Sequence, residues 1–274
     1  MSIEIIDEKG SSKTEENVIT FSIPKEEVRI PSKGLVYSTP GLKDSSTIEM
    51  RYMTAADEDL LQSPTLLRKG TWLTKILSNC IVSKLIDPED LLAGDRNTLL
   101  FWLRQTAYGS EYELKVQCPA CKDFFQHLFQ LNQLKLNILD VDPVEPGKNE
   151  FSFILPTSKL EIKFSLLTGR MAHELEKEAE MAMKDNVEGN ERVVSRSLIK
   201  QIVEIGGVRD KTQIENFIKT KMLASDSFAL TKYIEKITPT ILLKQDATCS
   251  KCGEVNEYNI PMEMQFFWPQ SKSL

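Results

Sequence analysis

The sequence has very little histidine: only His127 and His173 in 274 residues. Neither stands near a plausible serine or cysteine nucleophile, so a Ser/His or Cys/His enzyme is hard to build. No phosphate-cradling loop is present; Gly206-Gly207 lacks a following Lys-Ser/Thr pair. No apolar run approaches the ~20 residues of a membrane span. The opening stretch "MSIEIIDEKGSSKTEEN" is acidic and polar and lacks the apolar segment of a secretory signal. Basic charge is not in excess: 34 Lys and Arg against 40 Asp and Glu give −6, which disfavours a general nucleic-acid binder. The chain is expected in a reducing cytosol. Cysteine pairs there bind metal or do redox work more often than they form structural disulfides.

A hydrophobic content of 41% can build a core without disulfides. "TIEMRYM" (47–53) alternates as a half-buried strand, and "IPSKGLVY" (30–37) places a Pro-Ser-Lys-Gly turn before an apolar strand. Thr54 and Asp57 have the spacing of a capping box. Apolar pairs recur every four residues from Gly70 to Val82, predicting a helix. "DPEDLL" (87–92) has the N-cap Asp and following Pro of a helix start. A further helix carries Leu99, Leu100, Leu103 and Ala107 and stops at Gly109.

After Gly109 the period falls to two. Tyr112, Leu114 and Val116 lead to Cys118, and 124–131 leads away from Cys121, so "CPAC" sits on a hairpin tip. A second hairpin spans Phe151 to Leu166. Residues up to Thr238 read as helical: a stripe of Val194, Leu198 and Ile202 ended by Gly206-Gly207, then stripes at 214–222 and 230–237, with a surface loop at Asp185–Asn190. Beyond Pro239 the chain is extended on both sides of "CSKC", from Ile241 to Leu243 and from Tyr258 to Phe266.

The fold class is therefore α+β. Residues 1–17 read as a flexible tail and 18–109 as an N-terminal strand and helix part. The stretches 110–142 and 239–266 read as two halves of a split zinc-ribbon-like module. Residues 143–238 form an inserted hairpin plus helical lobe, and 267–274 an aromatic C-terminal tail.

Cys118, Cys121, Cys249 and Cys252 are the candidate metal ligands. A two-residue gap lets both thiolates of a pair converge on one ion, and four thiolates suit tetrahedral zinc. Residues 122–248 lie between the pairs, far more than the ~15–20 of a compact ribbon. A redox CxxC belongs at a helix start, whereas strands flank these. The clustered spacings of iron–sulfur proteins are absent, although iron in place of zinc stays open. Four thiolates leave no coordination position for water, so the metal is structural. Cys80 lies on a helix stripe and reads as core. His127 is a weaker alternative ligand, and His173 sits on an acidic, solvated helix face.

The stretches "IPSKGLVY", "IEMRYMTAADEDLL", "LLAGDRNTLLFWLRQTAYGSEYELKVQCPAC", "FSFILPTSKLEIKFSLLTGR" and the late CxxC, in that order, resemble the family of baseplate hub assembly proteins of T-even-like tailed bacteriophages. The resemblance covers roughly residues 18–260. It implies a non-enzymatic hub component or assembly chaperone that binds baseplate hub or tail proteins. Such a protein is made in the host cytoplasm and is a candidate to stay in the virion. The alternative is a zinc-ribbon nucleic-acid-binding or transcription accessory protein, which calls for a basic or aromatic strip. Lys115, Lys122, Lys244 and Lys251 near the knuckles are offset by Glu113, Asp123, Asp246 and Glu254. The expected contact surfaces are the turn Ser32-Lys33-Gly34 and the aromatic pair Phe267-Trp268, although the aromatic end reads first as a cap on the core.

Overall fold

The computed structural model describes residues 21–43, 45–61, 63–184, 193–262 and 264–267. The expected tail at 1–17, the loop at 185–190 and Trp268 lie outside them. Among the described residues the fold is a mixed α+β arrangement of short antiparallel strands and helices. No helix there is long and apolar enough to cross a membrane.

Strands β1 (Lys25–Arg29) and β2 (Thr47–Arg51) pair as a ribbon, and the alternation of β2 buries Ile48 and Met50 beside Val28. Between them, "IPSKGLVY" does not form the apolar strand expected after its turn. Successive N–H donations, Lys33 to Ile30, Leu35 to Ser32 and Tyr37 to Gly34, coil it into consecutive turns. Lys33 and Gly34 adopt left-handed φ of 55° and 74°, and the Ser32 N–H is drawn 2.9 Å from the buried carboxylate of Asp95. Ser32 and Gly34 are thereby buried, and of the turn expected as a contact surface only Lys33 faces solvent.

Three helices follow: α1 (Ala55–Leu61), α2 (Pro64–Lys69) and α3 (Trp72–Cys80). Asp57 accepts the Thr54 backbone N–H at 2.9 Å, as a capping box requires. The Thr54 hydroxyl donates to the same carboxylate. Arg51 grips Asp57 bidentately at 2.6 and 2.9 Å, and the Asn79 amide adds a further donor. This knot fixes the corner between β2 and α1 and ties it to α3. The expected stripe on α3 buries Ile76, Leu77 and Cys80.

"DPEDLL" is a turn, not a helix start: Asp87 accepts the Glu89 N–H on its side chain and the Asp90 N–H on its carbonyl. Leu91 and Leu92 are held extended because they bridge to Leu167–Gly169. Helix α4 (Ala93–Tyr108) therefore begins later and ends, as expected, at Gly109. It buries Leu99, Leu100 and Leu103, while Ala107 is exposed. A side chain at Gly94 would lie 1.7 Å from the Pro239 carbonyl, so only glycine lets the chain after Pro239 lie directly on α4.

The remaining elements are β3 (Glu111–Gln117), β4 (Phe124–Gln130), β5 (Lys135–Asn137), β6 (Phe151–Ile154), β7 (Glu161–Phe164), α5 (Gly169–Lys184), α6 (Val193–Gln201), β8 (Ile202–Ile205), α7 (Lys211–Thr220), α8 (Ala224–Ile237), β9 (Thr240–Leu242), β10 (Lys244–Thr248), β11 (Val255–Asn259) and α9 (Met264–Phe267). The pairs are β3–β4, β10–β11 and β5–β9, with a three-stranded sheet β6–β7–β8. Ile202 is not on the predicted helical stripe. The β-branched run Ile202-Val203 leaves the helix and pairs with β7, where Ile202 and Ile205 are buried. Val194, at the other end of that stripe, is exposed.

The exit from β11 is also not extended throughout, since α9 closes it. Phe266 packs on Phe101 and Tyr112, and Phe267 on Trp72. Phe267 is therefore core and does not serve as a contact surface. Arg104 anchors this end, donating to the carbonyls of Phe266, Gly109 and Glu111.

The Asp57 side chain is 2% exposed and that of Arg51 22%. Burial opposes the Asp57 charge, but Arg51, Thr54 and Asn79 outweigh it and hold the carboxyl well below its usual range. Asp57→Ala leaves the half-buried Arg51 guanidinium without its counter-charge, with only the carbonyls of Asn79 and Tyr52 as acceptors, and is expected to cost about 3 kcal/mol in urea unfolding at pH 7. A depressed carboxyl contributes stability above its unfolded pKa and loses it as the pH falls, so this deficit should narrow below about pH 4.

Candidate metal centre

The two cysteine pairs occupy the tips of the β3–β4 and β10–β11 hairpins, and both tips curl in the same way. Cys118 N–H donates to Asp123 and Lys122 N–H to Cys118; Cys249 N–H donates to Glu254 and Gly253 N–H to Cys249. The residue after the second cysteine is left-handed in each, with φ 65° at Lys122 and 78° at Gly253. The two stretches are thus conformational twins despite their different sequences.

The hairpins belong to separate sheets and meet through side chains. The Gln245 amide accepts the Gln130 N–H at 3.0 Å and donates back to the Gln130 carbonyl at 3.3 Å. Tyr258 meets Phe125 edge-on at 5.9 Å. Phe125, Phe129 and Ala247 are buried.

This docking brings the sulfurs of Cys118, Cys121, Cys249 and Cys252 within 4.8 Å of one another. The crossed pairs Cys118–Cys252 and Cys121–Cys249 are 3.7 and 3.8 Å apart. Sulfurs placed tetrahedrally at about 2.3 Å from one ion are themselves about 3.8 Å apart. All five cysteines of the chain are free. Cys118 and Cys249 are buried, Cys121 is half-buried and Cys252 is exposed.

The electrostatics of the cluster favour a cation. The Cys118 thiol is lowered to about 7, chiefly by the backbone N–H of Cys121. For Cys121 the Asp123 N–H favours the thiolate, but burial and the three other sulfurs outweigh it and push the thiol up to about 12. For Cys252 the Glu254 N–H and the Cys121 sulfur favour the thiolate, but burial and the sulfurs of Cys249 and Cys118 outweigh them and raise the thiol. Clustered thiolates repel one another, a charge that a bound cation would neutralise. Four thiolates around one point can hold a metal ion, with every tetrahedral position filled by the protein.

The histidines stand apart from this group. His127 is packed between Phe125 and Phe129 on β4. His173 is half-buried rather than solvated: its Cε1 lies 3.3 Å from where a Cβ on Gly70 would be, and its Nε2 is buried without a hydrogen bond. Cys80 is fully buried in the core. Sequence reasoning missed Gln245 and Tyr258, which join the hairpins. Their signal was the period-two spacing that puts Gln245 and Ala247 on one face of β10, and Tyr258 on the facing side of β11.

A family model described as T4 bacteriophage base plate protein matches residues 16–268. No curated protein and no solved structure matches the chain.

The twin tips are testable without any metal. Lys122 carries a side chain in a conformation that costs non-glycine residues about 1 kcal/mol. Lys122→Gly is expected to be neutral to stabilising, by up to about 1 kcal/mol in thermal unfolding. Gly253→Ala meets no neighbouring atom and is expected to destabilise by about 1 kcal/mol through backbone strain alone.

Proposed function

The chain belongs to the family of T4 bacteriophage base plate proteins, and from that membership we propose that it is a hub component or hub-assembly chaperone acting through protein–protein contacts. Cys118, Cys121, Cys249 and Cys252 hold a structural zinc ion in this reading. The observation that carries it is the family match across residues 16–268, which takes in both knuckles and everything between them.

The sulfur geometry supports a single ion, because the thiols converge on one point. A multi-iron cluster would need them spread around a larger body. Zinc and a lone iron remain distinguishable by elemental analysis. With its shell filled by the protein, the ion offers no position for water or substrate, so its contribution is to the fold. Stretches 110–142 and 239–266 then act as one module, with 143–238 inserted. Closing so long a loop costs entropy that grows only slowly with length, and metal binding energy becomes folding energy. Assembly takes place in the host cytoplasm, and the partners are hub or tail proteins.

Purified wild-type protein is expected to carry one zinc per chain. Cys121→Ser should lower that content and the midpoint of thermal unfolding together, whereas Cys80→Ser should keep the metal and cost about 1–3 kcal/mol of core stability. Metal-free protein purified under reducing conditions would refute the zinc assignment. Affinity capture from infected cells is expected to recover baseplate hub proteins. Recovery of polymerase or nucleic acid without tail proteins would instead favour a transcription accessory role.

A further inference from the structure

The three-stranded sheet β6–β7–β8 has one edge with open backbone groups. Strand β7 turns the Glu161 carbonyl and the Ser165 N–H towards β8 and its flanks, where they meet the Gly206 N–H and the Gln201 carbonyl, each at 2.8 Å. Residues along an antiparallel strand alternate between bonding one neighbour and the other, so β6 is held to β7 through Phe151, Phe153 and Leu155. The Leu155 N–H on the Leu160 carbonyl at 2.9 Å fits that phase. The N–H and C=O groups of Ser152 and Ile154 therefore point away from β7. Among the described residues no strand pairs with this edge and no backbone group bonds to it. Both residues are exposed, Ile154 by 64%.

The free edge is short and closed at both ends. Before it, Glu150 gives its N–H to the Lys148 carbonyl, and its own carbonyl accepts the Val144 N–H, both at 2.8 Å. Beyond it, Pro156 has no N–H to offer. A long partner strand would run past both ends with nothing to bond. What fits is an edge of the same length, and a second copy of this chain supplies one. We infer that β6 is a homodimerisation edge, pairing antiparallel with β6 of a second copy about a two-fold axis at Phe153. Ser152 then meets the partner's Ile154, and Ile154 the partner's Ser152, so every free group finds its complement. The neighbouring two-fold registers fail. Centred on Ser152, Ile154 faces the occupied Glu150; centred on Ile154, Ser152 faces Pro156.

The side chains agree with this register. Exposed edges are ordinarily guarded by charge, proline or a bulge, but Phe151–Ile154 carries neither charge nor proline. On the outer face, Lys163 lies beside Ser152 and Glu161 beside Ile154. The two-fold puts the partner's Glu161 at the far end of the row that Lys163 begins, so each row across the joined sheet ends in opposite charges. On the inner face, Phe153 stacks on Tyr233 at 4.7 Å and is half-buried. Paired, it faces the partner's Phe153 at a non-hydrogen-bonded position, where side chains come closest and aromatic pairs are favoured. The edge is also fixed beforehand: Asp226 accepts the Thr157 and Ser158 N–H groups at 2.8 and 3.0 Å, tying the β6–β7 turn to α8. An isologous contact of this kind closes on itself, giving a dimer and not a fibre. Neither the cysteine cluster nor family membership enters this pairing.

Sedimentation equilibrium of the full-length chain provides the test. The wild type is expected to move from the monomer mass towards twice that mass between about 1 and about 100 µM, the weak range of an interface below ~1,200 Å². Ile154→Pro removes the outward N–H at an edge position where proline is tolerated, and should weaken the dimer about 10-fold or more. Ile154→Thr keeps the N–H, trims the exposed apolar surface and should dimerise like the wild type. A wild type that stays monomeric would overturn the inference, as would equal dimerisation by Ile154→Pro. Equal loss in both variants would assign the contact to apolar surface instead of backbone pairing, and would overturn it too. Should Ile154→Pro fail to fold, hydrogen exchange on the wild type decides. Its Ser152 and Ile154 amides are expected to slow as concentration rises, and exchange independent of concentration counts against the pairing.

Discussion

A charge taken out of water has to be met by the chain around it, and α4 carries one near each end. Asp95, in its first turn, is fully buried and accepts the Ser32 N–H and the Tyr37 hydroxyl. The Tyr37 oxygen in turn takes the Leu92 N–H. Burial pushes the Asp95 carboxyl up to about 6, with Ser32 and Tyr37 working against the rise. Arg104, in the penultimate turn, is 3% exposed and directs its fork at three carbonyls. Its guanidinium also lies over the rings of Tyr108, Tyr112 and Phe266. One helix thus draws in the N-terminal turns at one end and the C-terminal aromatic closure at the other. The tight contact of Gly94 with Pro239 adds the strand that leads to the second knuckle.

That last contact links the helix to the sulfur cluster. The chain leaves β4, pairs β5 with β9 after a long excursion, and runs straight from β9 into β10. The Gln130–Gln245 exchange then sets β10 beside β4. The sulfurs are consequently brought together by ladder pairing and side-chain docking that do not involve them. Their mutual repulsion on ionising is the unbalanced term, which a bound cation would balance.

The local features that survived were those whose partners lie close in sequence. The Thr54–Asp57 cap, the α3 stripe, the Gly109 stop and both CxxC hairpins depend on contacts a few residues away. Failures share the opposite property. "IPSKGLVY" has the letters of a strand but coils because Asp95, more than sixty residues on, claims the Ser32 N–H. "DPEDLL" has the letters of a helix start but stays open because Leu91 and Leu92 pair with the chain near Thr168. Ile202 continues a helical period yet pairs with Phe164 of β7, nearly forty residues earlier in the chain.

The convergence of the four thiols was legible from the residues in line: two equal gaps, each in turn-prone text between alternating strands, with hardly any histidine to compete. So was the α+β class, because apolar periods of 3.6 and 2 alternate along the chain. Which groups surround those thiols, and which charges lie inside, was settled by folding. Tyr258, Asp95 and Arg104 look like ordinary strand and helix residues when read in line. Burial, and the hydrogen bonds burial demands, depend on chain segments that meet only after folding.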